Sequence, residues 1–267
     1  MHRQSLVGAV ITAVIALMAL SAPVLSPYPP NQLNMLIALQ RPSGAHLLGT
    51  DFVGRDVFSR VLYGTRADLF AVILVTGASL IIGVMLGTIA GYFGGWADTL
   101  VCRATDTAIA FPFIVIVLAV VAVVGVGLWG VSIGITSVDW ALYARLSRTE
   151  MLALREQEFM IAAKGLGFTH RRAILRHAIP NLIRSSFVYS TIDVVGNLVV
   201  LASMSYLGLG QQPPGADLGS LIASGQDYLL TAWWICTLPG LVLVILGVGI
   251  ALIGDGLTGA GFEITKL

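Results

Sequence analysis

The chain has 267 residues, of which 57% are hydrophobic and only 11% charged, with a formal net charge of +1. A typical soluble domain carries about 25% charged residues, so this composition excludes an ordinary soluble globule. The near-neutral balance gives no basic surface for nucleic acid, and no nucleic-acid partner is expected.

Mean hydropathy is +0.89. Several charge-free windows exceed the roughly 20 residues that cross a bilayer at 1.5 Å per residue. They are too long for strands and do not alternate as barrel strands do. The expected fold class is therefore an all-α integral membrane protein, because a helix satisfies its own backbone in lipid. The two cysteines, Cys102 and Cys236, lack metal or redox spacing and read as small core residues.

The first apolar run, Leu6 to Ala22, follows His2 and Arg3. Ala19-Leu20-Ser21 loosely resembles a cleavage site, but a chain that is itself membrane-embedded needs no cleaved leader, so a retained first span is expected. Residues 23–68 are polar and rich in turn formers. Within them Val53, Val57, Phe58, Val61 and Leu62 recur at helical spacing. That spacing predicts a short external amphipathic helix at the membrane surface, with Asp56 and Arg60 as a stabilising i,i+4 pair. A plain connecting loop is the alternative.

Leu69 to Ala97 carries no charge and holds span two. Gly83, Gly87, Gly91 and Gly95 repeat every fourth residue, which places a close-approach surface on one helical face. Thr107 to Val138 is also uncharged, and its 32 residues are too many for one span. VVGVGLWGVS supplies a break, giving span three at about 102–124 and span four at about 128–147. GVGLWG matches a dinucleotide fingerprint by letter only, since no strand precedes it. Asp106 is expected to pair with Arg103. Asp139 lies deeper, where an ionisable residue faces a bundle interior or water.

Residues 158–181 read EFMIAAKGLGFTHRRAILRHAIPN. Phe159 to Leu166 predicts a short helix with small residues at Ala162 and Ala163. Gly165 and Gly167 end it. Thr169 is the expected cap of a second helix, HRRAILRHA, which Pro180 should stop. Span five follows at about 186–208, with Asp193 and Asn197 on one face. Residues 209–228 are turn-rich and hold no Lys or Arg. Span six is expected at about 229–253, with Pro239 inside it.

Orientation follows from Lys and Arg. Between Arg145 and Arg184 there are eight basic residues against three acids. The 148–184 loop is therefore expected in the cytoplasm and the 209–228 loop outside. Six spans then put both termini in the cytoplasm. The four arginines of residues 23–68 run against this bias, offset by Asp51, Asp56 and Asp68. The expected division is 1–68, a first transmembrane helix plus external segment; 69–257, the transmembrane core with its loop at 148–184; and 258–267, a short cytoplasmic tail.

Ala162, Ala163, Gly167 and Ile179-Pro180 resemble the cytoplasmic signature loop of bacterial ATP-binding-cassette (ABC) importer permeases. The acid that often precedes the two alanines is Ile161 here, which leaves an acid contact with the motor unassigned. LGTDFVGRDVFSRVLYGTR looks like the outer segment of the dipeptide, oligopeptide and nickel permease family, second permease type. AFPF at 110–113, YARLSR at 143–148 and SYLGLG at 205–210 are similar to the same family. The resemblance covers about residues 46–257.

It implies a type I ABC importer permease fold with six transmembrane helices and a cytoplasmic coupling helix. Glu158, Phe159, Ala162, Ala163, Lys164, Gly165, Gly167 and Pro180 would form the ATPase-coupling loop. The partners would be a second homologous permease, two ATP-binding subunits and an extracytoplasmic binding protein, in a bacterial inner membrane. ATP and Mg would sit on the ATPases, because this chain has no G-x-x-x-x-G-K-[ST] loop; no cofactor of its own and no enzyme activity are expected. His170 and His177 read as solvated residues rather than metal ligands.

Asp139, Asp193, Asn197 and the Gln211-Gln212 pair are candidates for lining the pathway, with helix packing as the alternative for each. Short peptides are the expected substrate, and nickel or a nickel chelate is the alternative. Two more distant readings stay open. One is a membrane enzyme with Asp139 and Asp193 as its carboxylate pair. The other is a channel that needs no motor.

Overall fold

A computed structural model describes residues 3–264, apart from the side chains of 3, 163, 164 and 257–264. The tail expected at 258–267 is thus described only in its backbone, and only as far as Ile264. The described secondary structure is helical, with one isolated bridge between Thr50 and Asp56.

Helix α1 (Arg3–Leu20) leads into a single turn, α2 (Ala22–Leu25). A largely irregular segment then runs to α3 (Val57–Phe93). The Asp56 carboxylate starts α3 by accepting the Ser59 backbone N–H at 2.8 Å, an N-cap in the usual sense. Helices α4 (Gly95–Ala110) and α5 (Phe113–Val124) follow. After them come α6 (Leu128–Leu154), α7 (Glu158–Gly165) and the turn α8 (His170–Arg172). A π-helical stretch, Ala173–Ala178, joins α8 to α9 (Ile179–Tyr206). The chain ends with α10 (Leu218–Gly225) and α11 (Trp234–Ile264).

By length and apolarity, Val57–Phe93, His170–Tyr206 and Trp234–Gly256 can each cross a membrane, and α4 with α5 makes a fourth if that bent pair is one span. Gln4–Leu20 is a shorter apolar helix.

The glycine stripe of α3 does what its spacing predicts at three of its four positions. A Cβ on Gly83 would stand 2.4 Å from the Trp140 carbonyl oxygen. One on Gly87 would stand 2.2 Å from that of Ala144, and one on Gly91 2.8 Å from that of Arg148. Helices α3 and α6 therefore touch backbone to backbone. Gly95 has no such neighbour, because α3 has already ended at Gly94.

The main core fills the space between α3, α5, α6, α9 and α11 with Val72, Val75, Val121, Ile135, Leu201 and Leu246 among others. A second cluster at the N-terminal end of α3 joins Val57 and Val61 to Leu218, Leu221 and Trp234. A third, at the opposite end, joins Tyr92 and Met151 to Met160, Ala173 and Leu182.

The amphipathic segment is not a separate surface helix: Val57, Val61 and Leu62 are buried in the first turns of α3, which runs on unbroken. Asp56 does not pair with Arg60. It is occupied by its cap and by His46 Nδ1 at 2.9 Å, and Arg60 turns to the Pro30 carbonyl at 3.2 Å. Span three is not straight. A 93° bend separates α4 from α5, because the residue before a proline is driven out of the helical region; Phe111 sits at φ −96°, ψ 150° ahead of Pro112.

Asp106 takes Arg145 at 2.6 Å rather than Arg103. Pro180 does not stop the second helix: it stands in the first turn of α9. The π-helical widening just before it relaxes the i−4 carbonyl clash that a proline ring imposes. The 209–228 loop contains helix α10, and α11 continues past 257 to Ile264.

Candidate functional site

The two halves of the candidate site lie at one end of the bundle and in its middle. At the end, Met160 anchors α7. Met160 is fully buried among Tyr92, Met151, Ala173, Ala178 and Leu182. The residues around it stay outside: Phe159 is 44% exposed and Leu166 75%, and Glu158, Ile161 and Ala162 are exposed too. Phe159, Ala162 and Leu166 recur at helical spacing and line one outward stripe. The side chains of Ala163 and Lys164 lie outside the described residues. Gly165 and Gly167 are exposed, and Gly167 sits at φ +75° with no atom within 4 Å of a built Cβ. Any L side chain there is strained by the backbone rather than by its neighbours.

Thr169 caps the next turn, its hydroxyl accepting the Arg172 backbone N–H at 3.4 Å. His170 Nδ1 meets the Tyr92 hydroxyl at 3.0 Å, tying α8 to the end of α3. His177 stacks on Phe168 at 5.7 Å, and the Arg172 guanidinium lies over the same ring at 4.2 Å. Arg155 donates to the Gly91 carbonyl at 3.1 Å. Arg148 makes a bidentate pair with Asp98, one arm at 2.7 Å, which clamps α6 to α4. Pro180 belongs to α9 and not to the α7 stripe.

In the middle of the bundle the three polar candidates converge. The two N–H donors of Asn197 Nδ2 are shared among three acceptors, Asp193 at 2.9 Å, Thr76 Oγ1 at 3.1 Å and Asp139 at 3.3 Å. The Tyr143 hydroxyl donates to Asp193 at 2.8 Å. Asp139 and Asn197 are buried, Tyr143 completely so, and Asp193 is part-exposed. Burying carboxylates in an apolar bundle is costly unless they are hydrogen-bonded, and this network supplies the bonds while linking α3, α6 and α9.

The sequence reading does not place Thr76 in this cluster, and it names Tyr143 only as the first residue of YARLSR. Tyr143 carried a usable signal, since it stands four residues after Asp139 and so shares its helical face. Thr76 carried none, being one hydroxyl in a long apolar run. Gln211 and Gln212 do not join this cluster: they fold their own loop, Gln212 donating to the Gly208 and Gly210 carbonyls at 3.0 Å.

Residues 83–259 match the family model described as the binding-protein-dependent transport system inner membrane component, and residues 1–42 match the N-terminal transmembrane domain of oligopeptide transport permease C. The chain belongs to this permease family. The matched stretch holds the glycine stripe, the bent pair, α7 and the Asp139–Asp193–Asn197 cluster.

The dipeptide transport system permease protein DppC of Alkalihalophilus pseudofirmus is 35% identical to this permease over 259 residues, covering 97% of this chain and 85% of that one. The probable D,D-dipeptide transport system permease protein DdpC of Escherichia coli is 34% identical over 250 residues, covering 94% and 84%. Among solved structures, the inward-facing MetNI methionine ABC transporter matches with a TM-score of 0.53 and 19% identity, over 75% of this chain and 95% of that one. That likeness is one of fold: this permease has the all-helical fold of type I ABC importer permeases.

Proposed function

We propose that this permease is one transmembrane subunit of an ATP-driven importer of short peptides, delivered by an extracytoplasmic binding protein. Six spans cross the membrane in this reading: α1, α3, the bent pair α4–α5, α6, α9 and α11. Both termini and the 148–184 loop face the cytoplasm, where the basic residues gather. A second, homologous permease completes the pathway, and two ATPase subunits, which hold ATP and Mg, lie beneath. The peptide reading rests on the relatives, whose names specify dipeptide or D,D-dipeptide transport. No observation favours nickel.

The observation that carries the coupling role is the division of labour on α7. Met160 fixes the helix to α3, α6 and α9, while Phe159, Ala162 and Leu166 are left uncovered. A helix so placed transmits a push. When ATP draws the ATPases together, α7 moves with them and the rigid bundle follows, alternating between inward-open and outward-open states. The Asp139–Asp193–Asn197 network keeps α3, α6 and α9 moving as one body, and part-exposed Asp193 is its side toward the pathway.

Affinity purification of the chain from native membranes in mild detergent, followed by mass spectrometry, tests the assembly. A second permease and one or two ATPases should co-purify. Recovery of this chain alone, under conditions that keep other transporters assembled, would overturn the proposal.

A further inference from the structure

We propose that the groove between α1, α3, α9 and α11 is a phospholipid site, with Arg66 holding the phosphate and the acyl chain lying along the groove. The groove has a volume of about 830 Å³ and is lined by Ala16, Phe70, Ile73, Val194 and Ile250 among others. The hydroxyls of Ser190 and Thr191 on its wall are spent on the backbone carbonyls of Phe187 and Val188, each at 2.7 Å. Apart from Thr12, whose Oγ1 has no partner among the described residues, the wall offered to an occupant is therefore largely apolar. Arg66 and Tyr63 stand among its lining residues.

Arg66 is exposed and has no carboxylate partner among the described residues, whereas Arg55 and Arg60, earlier in the chain, both reach Asp51. Its depth is set by the sequence. From Leu69 to Phe93 helix α3 has 25 residues and no charge. At 1.5 Å per residue that stretch spans a hydrocarbon core about 30 Å thick. Arg66, one turn earlier, stands at headgroup level. A guanidinium there matches a phosphodiester with paired N–H donors, and the groove continues from it into the depth that acyl chains occupy.

Charge and shape favour lipid over a helix of a neighbouring subunit. A helix is about 10–12 Å across with its side chains and would fill this volume in about two turns. It would also have to place an acid opposite Arg66. An acyl chain is slim, and its own phosphate supplies the charge.

The test uses the full chain in lipid nanodiscs with a phosphatidylglycerol that carries a photoreactive diazirine in its acyl chain. After irradiation, labelled peptides are mapped by mass spectrometry. Residues 63–73 and 187–194 should be labelled above other lipid-facing surfaces such as those at Ile81 and Val123. Arg66→Gln should lower that labelling by about five-fold, the scale of one basic residue at a membrane surface, without changing labelling elsewhere. Ala16→Trp, which fills the groove and leaves Arg66 intact, should lower it too. A diacylglycerol with the same tails should label the groove no more than other faces. Groove labelling that is unchanged in Arg66→Gln, or no higher than at Ile81, would overturn the proposal. So would crosslinks from the groove to a protein partner in the co-purified assembly.

Discussion

The Asp68 carboxylate accepts the backbone N–H of Leu218 at 2.9 Å and so joins residues 150 positions apart. Asp217 caps the same helix from its own end, accepting the Ser220 N–H at 2.7 Å, while the Ser220 hydroxyl bonds back to the Asp217 N–H at 3.1 Å. Two carboxylates thus face the N-terminus of α10, where unpaired N–H groups and the helix dipole favour negative charge. The contact docks the 209–228 segment onto α3. Removing the acceptor leaves a buried N–H unsatisfied, which costs about 1–3 kcal/mol. Asp68→Ala should therefore lower the thermal midpoint of the purified chain, and Asp68→Asn, which keeps a carbonyl acceptor, should lower it less. Equal midpoints for Asp68→Ala and wild type would show that this bond does not hold α10.

Gly87 and Gly77 lie on the same helix with opposite surroundings. A Cβ at Gly87 meets the Ala144 carbonyl at 2.2 Å, and one at Gly77 meets nothing within 4 Å. Gly87→Ala must push α3 and α6 apart, an overpacking cost of about 1–3 kcal/mol. Gly77→Ala should be neutral or stabilise by up to about 1 kcal/mol, since alanine is the better helix former. Thermal unfolding of the two variants side by side decides the matter. A Gly87→Ala protein as stable as wild type would mean that the two backbones need not touch.

What the sequence made legible was local. A period of four glycines reports a close helix pair because period and face are fixed by helical geometry. Thr169 reports a cap for the same reason. The bend at Pro112 has a local signal in AFPF, but apolar length alone makes 102–124 one continuous span. Local spacing gives the wrong partners for Asp106 and Asp56. Sequence spacing nominates a neighbour three or four residues away, while the folded bundle offers Arg145 from another helix and a vacant N-cap. The same limit applies to the polar cluster. Asp193 and Asn197 were visible as one face of one helix, but nothing local places Thr76 and Asp139 against them. Met160 had the plainest appearance and one of the most specific positions, as the buried anchor of α7.

Asn197 is the hub of the bundle's polar network, with three acceptors around one amide nitrogen. Asn197→Ala leaves the two carboxylates without that donor and should cost about 1–3 kcal/mol or more. Coupling is the sharper readout. Asn197→Ala and Asp193→Asn should be non-additive by at least about 0.5 kcal/mol, as for residues sharing one network. Strict additivity in a double-mutant cycle of thermal stabilities would show that the two do not act together.

The roles on α7 separate by whether a residue faces in or out. Met160→Ala empties a fully buried site and should destabilise the chain by about 2–5 kcal/mol. Phe159→Ala, at an exposed position, should leave the thermal midpoint unchanged and cut ATP-driven uptake of a labelled dipeptide into proteoliposomes by about ten-fold, the effect of losing one interface anchor. Gly167→Asp places a side chain at φ +75°, at a cost of about 1–2 kcal/mol, and redirects the chain that leaves α7. It should insert normally, bind the second permease and fail to transport. Wild-type uptake in both Phe159→Ala and Gly167→Asp would remove the coupling role from this helix, because the outward stripe and the turn behind it are the features that distinguish a docking helix from an ordinary cytoplasmic loop.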